Sequence, residues 1–228
     1  MTYSRYAIYY TPDPGPLASF GAQWLGWDID TGTPCDHPDL PGLPMPVEEI
    51  TRTPRKYGFH GTIKPPFRLA EGRDADALEA AAKAACADRP PVRLDGLELA
   101  RIGRFLALTP QGDTAALADL AAAMVRELDP FRAPAPEAEL ARRRARGLTE
   151  RQDRLLRDWG YPYVMEEFRF HLTLTGSLPG DAAERTATAL APALEPILGT
   201  PVTISSLTLV GERPDSRFET LTRLHLRS

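Results

Sequence analysis

The chain has 228 residues, 43% apolar and 25% charged, which is ordinary for a soluble globular protein and enough for one sizeable domain or two small lobes sharing a core. Its net charge of −4 argues against long nucleic acid as a partner, because such partners select a basic surface; a small anion in a local pocket stays compatible. The first residues lack a charged-then-apolar leader pattern and no stretch approaches the roughly 18 apolar residues of a membrane span. Two cysteines, Cys35 and Cys86, are too few for a disulfide framework and read as reduced thiols of a cytoplasmic protein.

In chain order, the β-branched and aromatic run at 5–11 predicts a strand ended by Pro12 and Pro14. Leu17, Phe20, Trp24 and Trp27 have helical spacing. A loop from Asp28 to Pro46 follows; it holds acidic residues, Cys35 and His37, but no recognisable ligand spacing, so no metal is expected there. The Ala-rich 75–88 predicts a helix, "PVRLDGLELA" and "RFLALTP" a strand pair, and 114–128 a second helix. A Pro-rich hinge leads to a charged helix at 137–146. Thr149 and Gln152 then have capping-box spacing, ahead of a stripe of Leu148, Leu155, Leu156 and Trp159 that Gly160 and Pro162 stop. A strand at 167–175, a helix at 181–198 and strands near 202–210 and 218–226 complete the chain.

The phrase F-H-x-T-[IL] occurs twice, at Phe59–Ile63 and at Phe170–Leu174. After each His, at nearly equal distances, comes a Pro-Val strand start, Pro91-Val92 and Pro201-Val202, and each unit later reaches an Arg-Phe pair. Two copies of one strand-helix-strand-strand unit fit this, and the period is far too long for a solenoid, so an α+β, two-lobed, pseudo-symmetric domain is predicted. We expect one domain over 1–228: a first motif unit at about 55–110, a helical insertion at about 111–160 and a second unit at about 161–228.

Alternate strand residues share a face, so Arg169, His171, Thr173 and Thr175 are expected on one side of their strand and Phe168, Phe170, Leu172 and Leu174 on the other. His60, Thr62 and Lys64 are expected together on the polar side of the first. Two such sheets set face to face, helices outside, bring two imidazoles and two hydroxyls to one cleft. One neutral and one protonated imidazole suit in-line attack at phosphorus, and Thr hydroxyls suit the non-bridging oxygens. No metal or other cofactor is required. Lys64 and Arg169 would add positive charge, and Tyr57, Tyr161 and Tyr163 stand near the motifs, able to stack on a base or sugar or to close the core.

Paired H-x-T phrases in a duplicated chain of this length resemble the 2H phosphoesterase superfamily, and "YGFHGTIKPPF", "WGYPYV" and "FRFHLTLTG" resemble more narrowly a branch found beside phosphonate-utilisation genes. The resemblance implies a bilobal fold with two mainly antiparallel sheets around a central cleft, His60 and His171 as acid and base, and Thr62 and Thr173 as phosphate ligands. It also implies a cyclic or otherwise phosphorylated small substrate. The expected protein is a monomeric, metal-independent cyclic phosphodiesterase with neither long nucleic acid nor a membrane as partner. Rival readings are an RNA-end ligase or RNA cyclic phosphodiesterase, a non-enzymatic binder of a phosphorylated ligand, and a docking protein using its Arg-rich helix. That helix carries enough acidic residues to read as a solvated face, with a cover over the cleft as the alternative.

Overall fold

The computed structural model describes residues 3–145 and 147–227. Its elements begin with β1 (Tyr6–Tyr10), α1 (Pro16–Leu25), the short β2 (Trp27–Asp28) and β3 (Thr33–Pro34), and α2 (Val47–Ile50). The first unit follows with β4 (Gly61–Phe67), α3 (Ala75–Ala87), β5 (Val92–Leu94), β6 (Gly96–Ile102) and β7 (Phe105–Gln111). Next come α4 (Ala115–Glu127), α5 (Glu137–Arg144) and α6 (Glu150–Trp159). The second unit is β8 (Leu172–Thr173), α7 (Ala182–Leu198), β9 (Val202–Ile204), β10 (Ser206–Glu212) and β11 (Phe218–His225). The expected end of the charged helix at position 146 lies outside the described residues. Among those described, no helix is long and apolar enough to cross a membrane.

Local chemistry sets these boundaries. At the start of α6 the Thr149 hydroxyl accepts the Gln152 N–H at 3.2 Å, and the Gln152 side chain accepts the Thr149 N–H at 3.1 Å. Two backbone donors that the helix leaves open are thereby satisfied. Gly160, at φ 74°, then closes the helix in the left-handed conformation that costs a glycine least. In α3 the apolar spacing buries Leu78, Ala82 and Ala85 on one stripe, behind an Asp74 N-cap.

Seven strands pair in the order β11-β10-β1-β4-β8-β7-β6. The middle of this sheet is thin, because β4 meets β8 only where Gly61 lies opposite Leu172. The two antiparallel sheets expected from the sequence are therefore joined edge to edge at the two motif strands. A second link is the pairing of β5 with β9, where Arg93 lies opposite Thr203. Both links join equivalent positions of the repeat, which is what a twofold relation between the units requires.

The units exchange parts across that junction. The β6–β7 hairpin of the first unit extends from β8 of the second, and the β10–β11 hairpin of the second reaches β4 through β1. The helices follow suit: α3 packs on β10 and β11, and α7 packs on β6 and β7. Each half of the sheet is thus built from both units. β1 is buried along its whole length, with Tyr6, Ile8 and Tyr10 in the helix-side core. Its other face sets Ala7 and Tyr9 against Trp27, Val210 and Phe218.

Two strand expectations need correction. β4 carries register irregularities against β1 between Tyr6 and Ile8 and between Ile8 and Tyr9. Each extra residue shifts the inside-outside alternation, so Lys64 turns with Ile63 into the interior, only 2% exposed. Its Nζ donates to the Val125 carbonyl at 3.0 Å and stands 3.7 Å from Asp129. The strand expected over 167–175 is confined to Leu172–Thr173, with a 3-10 turn at Met165–Glu167 before it. Thr175 does not share the open face with His171. It is buried, where its hydroxyl accepts the Leu106 N–H at 2.9 Å and donates to the Gly176 carbonyl at 2.8 Å; this side chain replaces the ladder the strand would have continued.

The junction tolerates no side chain at position 61. A Cβ there would stand 2.3 Å from the Phe170 ring. Gly61→Ala is expected to lose about 1–3 kcal/mol in urea unfolding. Gly61→Ala with Phe170→Leu is expected to lose less than the sum of the two single losses; strict additivity would show that the ring is not the obstacle.

Candidate active site

His60 sits where the chain enters β4. Gly58, at φ +71°, turns its carbonyl back so that the His60 Nδ1–H donates to it at 2.9 Å. A Cβ at Gly58 would meet Ile29 at 2.6 Å, so both backbone angle and space demand glycine. That carbonyl assigns the proton of the neutral ring to Nδ1 and leaves a lone pair on Nε2, which the Thr62 hydroxyl approaches at 3.0 Å. The Tyr9 ring stacks on the imidazole with centroids 3.7 Å apart and planes 21° apart. Burial pushes the His60 pKa down to about 4; the Gly58 carbonyl opposes this, and the nearby His171 adds to it.

His171 repeats the device. Its Nδ1–H donates to the Arg169 carbonyl at 2.8 Å, so Nε2 is again the free nitrogen. The Phe105 ring lies 5.7 Å away, tilted by 47°. The Gly61–Leu172 pair brings the two phrases side by side, and the His60 and His171 rings come close enough for the charge of one to act on the other.

A cavity of about 660 Å³ is lined by both imidazoles, Thr62, Thr173, Tyr57 and Tyr9. Tyr57 stacks on Phe218 at 5.5 Å beside His60. Arg169 and Tyr163 do not line this cavity. They border an adjoining hollow of about 430 Å³ that shares Thr62 and His171 and is otherwise more aromatic, with Phe105 and Phe168 on its wall. Tyr163 is 46% exposed and Tyr161, edge-on to it at 5.7 Å, lines both spaces. Lys64 borders neither; burial lowers its ammonium pKa to about 8, with Asp129 opposing the fall.

Several cavity residues were not candidates from the sequence. Arg5, just before β1, and Tyr9 within it fall on one side by simple alternation, yet nothing local says that β1 lies beside β4. The Tyr9 hydroxyl is buried without a hydrogen-bond partner among the described residues, and burial raises its pKa well above the usual phenol value. Arg68, just past β4, and Glu139, Arg142 and Arg143 of α5 complete the wall. One edge of the Arg-rich helix therefore borders the cleft, while Glu137, Ala138 and Ala141 are exposed.

Comparison with known proteins gives relatives of the sequence. A ribose 1,5-bisphosphate phosphokinase PhnN of Janthinobacterium sp. (strain Marseille) is 42% identical over 177 residues, 77% of this chain and 39% of the relative. The protein of the same name from Laribacter hongkongensis (strain HLHK9) is 35% identical over 76% of this chain and 40% of its own length. The chain thus spans about two fifths of the length of these relatives. Among solved structures, LigT of E. coli in its apo form superposes over 100% of both chains with TM-score 0.48 and 13% identity. TT0787 of Thermus thermophilus does so over 98% of each, with TM-score 0.47 and 15% identity. Likenesses that weak carry no function across. Residues 62–219 match the family described as protein of unknown function DUF1045, which takes in the second motif whole and the first from its Thr, and the chain belongs to that family.

Proposed function

We propose that this chain is a 2H-type phosphoesterase that hydrolyses a small phosphodiester, a cyclic phosphate of a sugar above all. The observation that carries the reading is the pair of imidazoles, each held through Nδ1 by a backbone carbonyl two residues before it, both lining one cavity with a Thr hydroxyl two residues on. A structural His needs no such matched partner across a repeat, whereas proton transfer at two oxygens of one phosphoryl group needs two ring nitrogens open to the ligand, one with a lone pair and one carrying a proton.

In this mechanism His60 is the base. Its low pKa keeps it neutral, and its Nδ1–H tautomer presents Nε2 as the acceptor. Water loses a proton to Nε2 as its oxygen bonds to phosphorus. The bond from phosphorus to the leaving oxygen breaks, and His171, which enters the reaction as the imidazolium with protons on both nitrogens, gives its Nε2 proton to that oxygen. The Thr62 hydroxyl leaves Nε2 to donate, with Thr173, to the non-bridging oxygens where charge collects. Both proton transfers are supplied by side chains, so the scheme is written without a metal. The substrate class is supported by the PhnN relatives, whose name specifies ribose 1,5-bisphosphate, a phosphorylated sugar. Phosphonate metabolism is the proposed setting, on the resemblance of the motif phrases.

His60→Ala and His171→Ala are each expected to lower kcat by about 10²–10⁴-fold against cyclic phosphates, with EDTA without effect; unchanged turnover in either variant would remove the mechanism. The acid limb of kcat/KM is expected near pH 4, since the base loses its proton there and not near 6.5. A limb near 6.5 would place the base elsewhere. The same shift has a stability consequence. Between about pH 4 and 6.5 the unfolded chain binds the proton that folded His60 refuses, so stability rises with pH across that window. His60→Gln is expected to flatten the rise in urea midpoints.

Tyr9→Phe removes a buried hydroxyl that has no partner among the described residues. It is expected to leave the thermal midpoint unchanged or raised while weakening inorganic phosphate binding in calorimetry. A lowered midpoint would mean that the hydroxyl is already satisfied in the free protein.

A further inference from the structure

We propose that the cleft contains a second anion subsite, formed by Arg68, Arg142 and Arg143, which binds a phosphomonoester carried by the same substrate. The word substrate rests on the hydrolase reading above; the subsite itself does not.

Charge is the first ground. The chain is acidic overall, with net charge −4, yet this wall of the cavity sets three guanidinium groups against the single carboxylate of Glu139. Glu139 already accepts from Arg68 at 3.3 Å and from Arg143 at 2.9 Å. One carboxylate cannot neutralise both and Arg142 besides. The Arg142 side chain has no ion pair or hydrogen bond among the described residues, while its neighbour Arg144 is held by Asp153 at 2.7 Å and does not line the cavity.

Unmet hydrogen bonding is the second ground. Among the described residues the buried side-chain nitrogen and oxygen atoms without a partner are Tyr9 Oη, Arg143 Nε and Thr186 Oγ1. Two of these three belong to residues that line this one cavity. A buried donor left open costs free energy that a ligand oxygen returns. Arg143 is also fixed before any ligand arrives, since its guanidinium lies 4.9 Å over the Tyr161 ring and is tied to Glu139. A planar fork held in place suits the tetrahedral oxygens of a phosphate.

Size is the third. A space of about 660 Å³ is far more than the phosphoryl group between two imidazoles occupies. The remainder is bordered by charged and hydroxyl-bearing chains, which fits a polar body ending in an anion. The substrate class this describes is a small sugar with a phosphodiester at one end and a phosphomonoester at the other.

The test compares methyl riboside 2,3-cyclic phosphate with and without a 5-phosphate. Wild type is expected to favour the 5-phosphorylated form by about 100-fold in kcat/KM, the worth of one or two charge-assisted contacts. Arg142→Gln is expected to cut that preference about tenfold, and Arg142→Gln with Arg143→Gln to abolish it. Arg144→Gln, on the same helix but outside the cavity lining, is expected to keep it. Equal kcat/KM for the two compounds in wild type, or a preference that survives the double variant, overturns the subsite and leaves the hydrolase standing. If neither compound is turned over, the hydrolase reading fails and calorimetry with ribose 5-phosphate against ribose decides the subsite. Phosphate-dependent binding lost in the double variant supports it; no such binding in wild type overturns it.

Discussion

A single backbone pair, Gly61 opposite Leu172, sets the geometry on which everything else depends. It joins the middle residues of two H-x-T phrases that stand far apart in sequence, and so it brings the four candidate side chains to one place. The two phrases lie side by side at that point, and the His and Thr of both line one cavity. Only a glycine on one strand lets the strands come together, because the Phe170 ring occupies the space a side chain would fill. The exchange of hairpins between units then holds the units together on both sides of the junction: each half of the sheet contains strands of both units, so the units cannot part without breaking ladders in both halves.

Symmetry of the backbone does not give symmetry of chemistry. Both imidazoles are locked by the same turn of chain, Nδ1 to a carbonyl two residues back. Their surroundings differ. His60 lies under Tyr9 in a site dry enough to lower its pKa to about 4, beside Tyr57. His171 opens toward the more aromatic hollow that holds Phe105 and Phe168. In the proposed reaction, duplication supplied two equivalent nitrogens and the unequal neighbours gave them unequal tasks, base and acid.

The sequence carried the helices and the repeat well, because capping, spacing and alternation are local signals. Thr149 with Gln152, and Gly160 after them, mark α6 to the residue. The repeat in the sequence also anticipated which strands are equivalent, and the β5–β9 pairing joins two of them. Alternation failed where the ladder was irregular. Nothing in "HGTIKPPF" announces that bulges against β1 will turn Lys64 inward, and Thr175 looks like a strand residue until its hydroxyl replaces a ladder bond. Contacts between distant segments were beyond local reading. Tyr9 and Arg5 reach the cavity because β1 is the neighbour of β4, and Arg142 and Arg143 because the helical segment between the units borders it.

The central claim is that one phosphoryl group touches both rings. Nitrogen-15 NMR of the histidine side chains during titration with inorganic phosphate tests it most directly. The account predicts that His60 Nε2 and His171 Nε2 shift together along one saturation curve, with both Nδ1 atoms remaining protonated donors. A response from one ring alone, or two curves with different midpoints, would mean that the imidazoles do not share a ligand, and the account would be wrong.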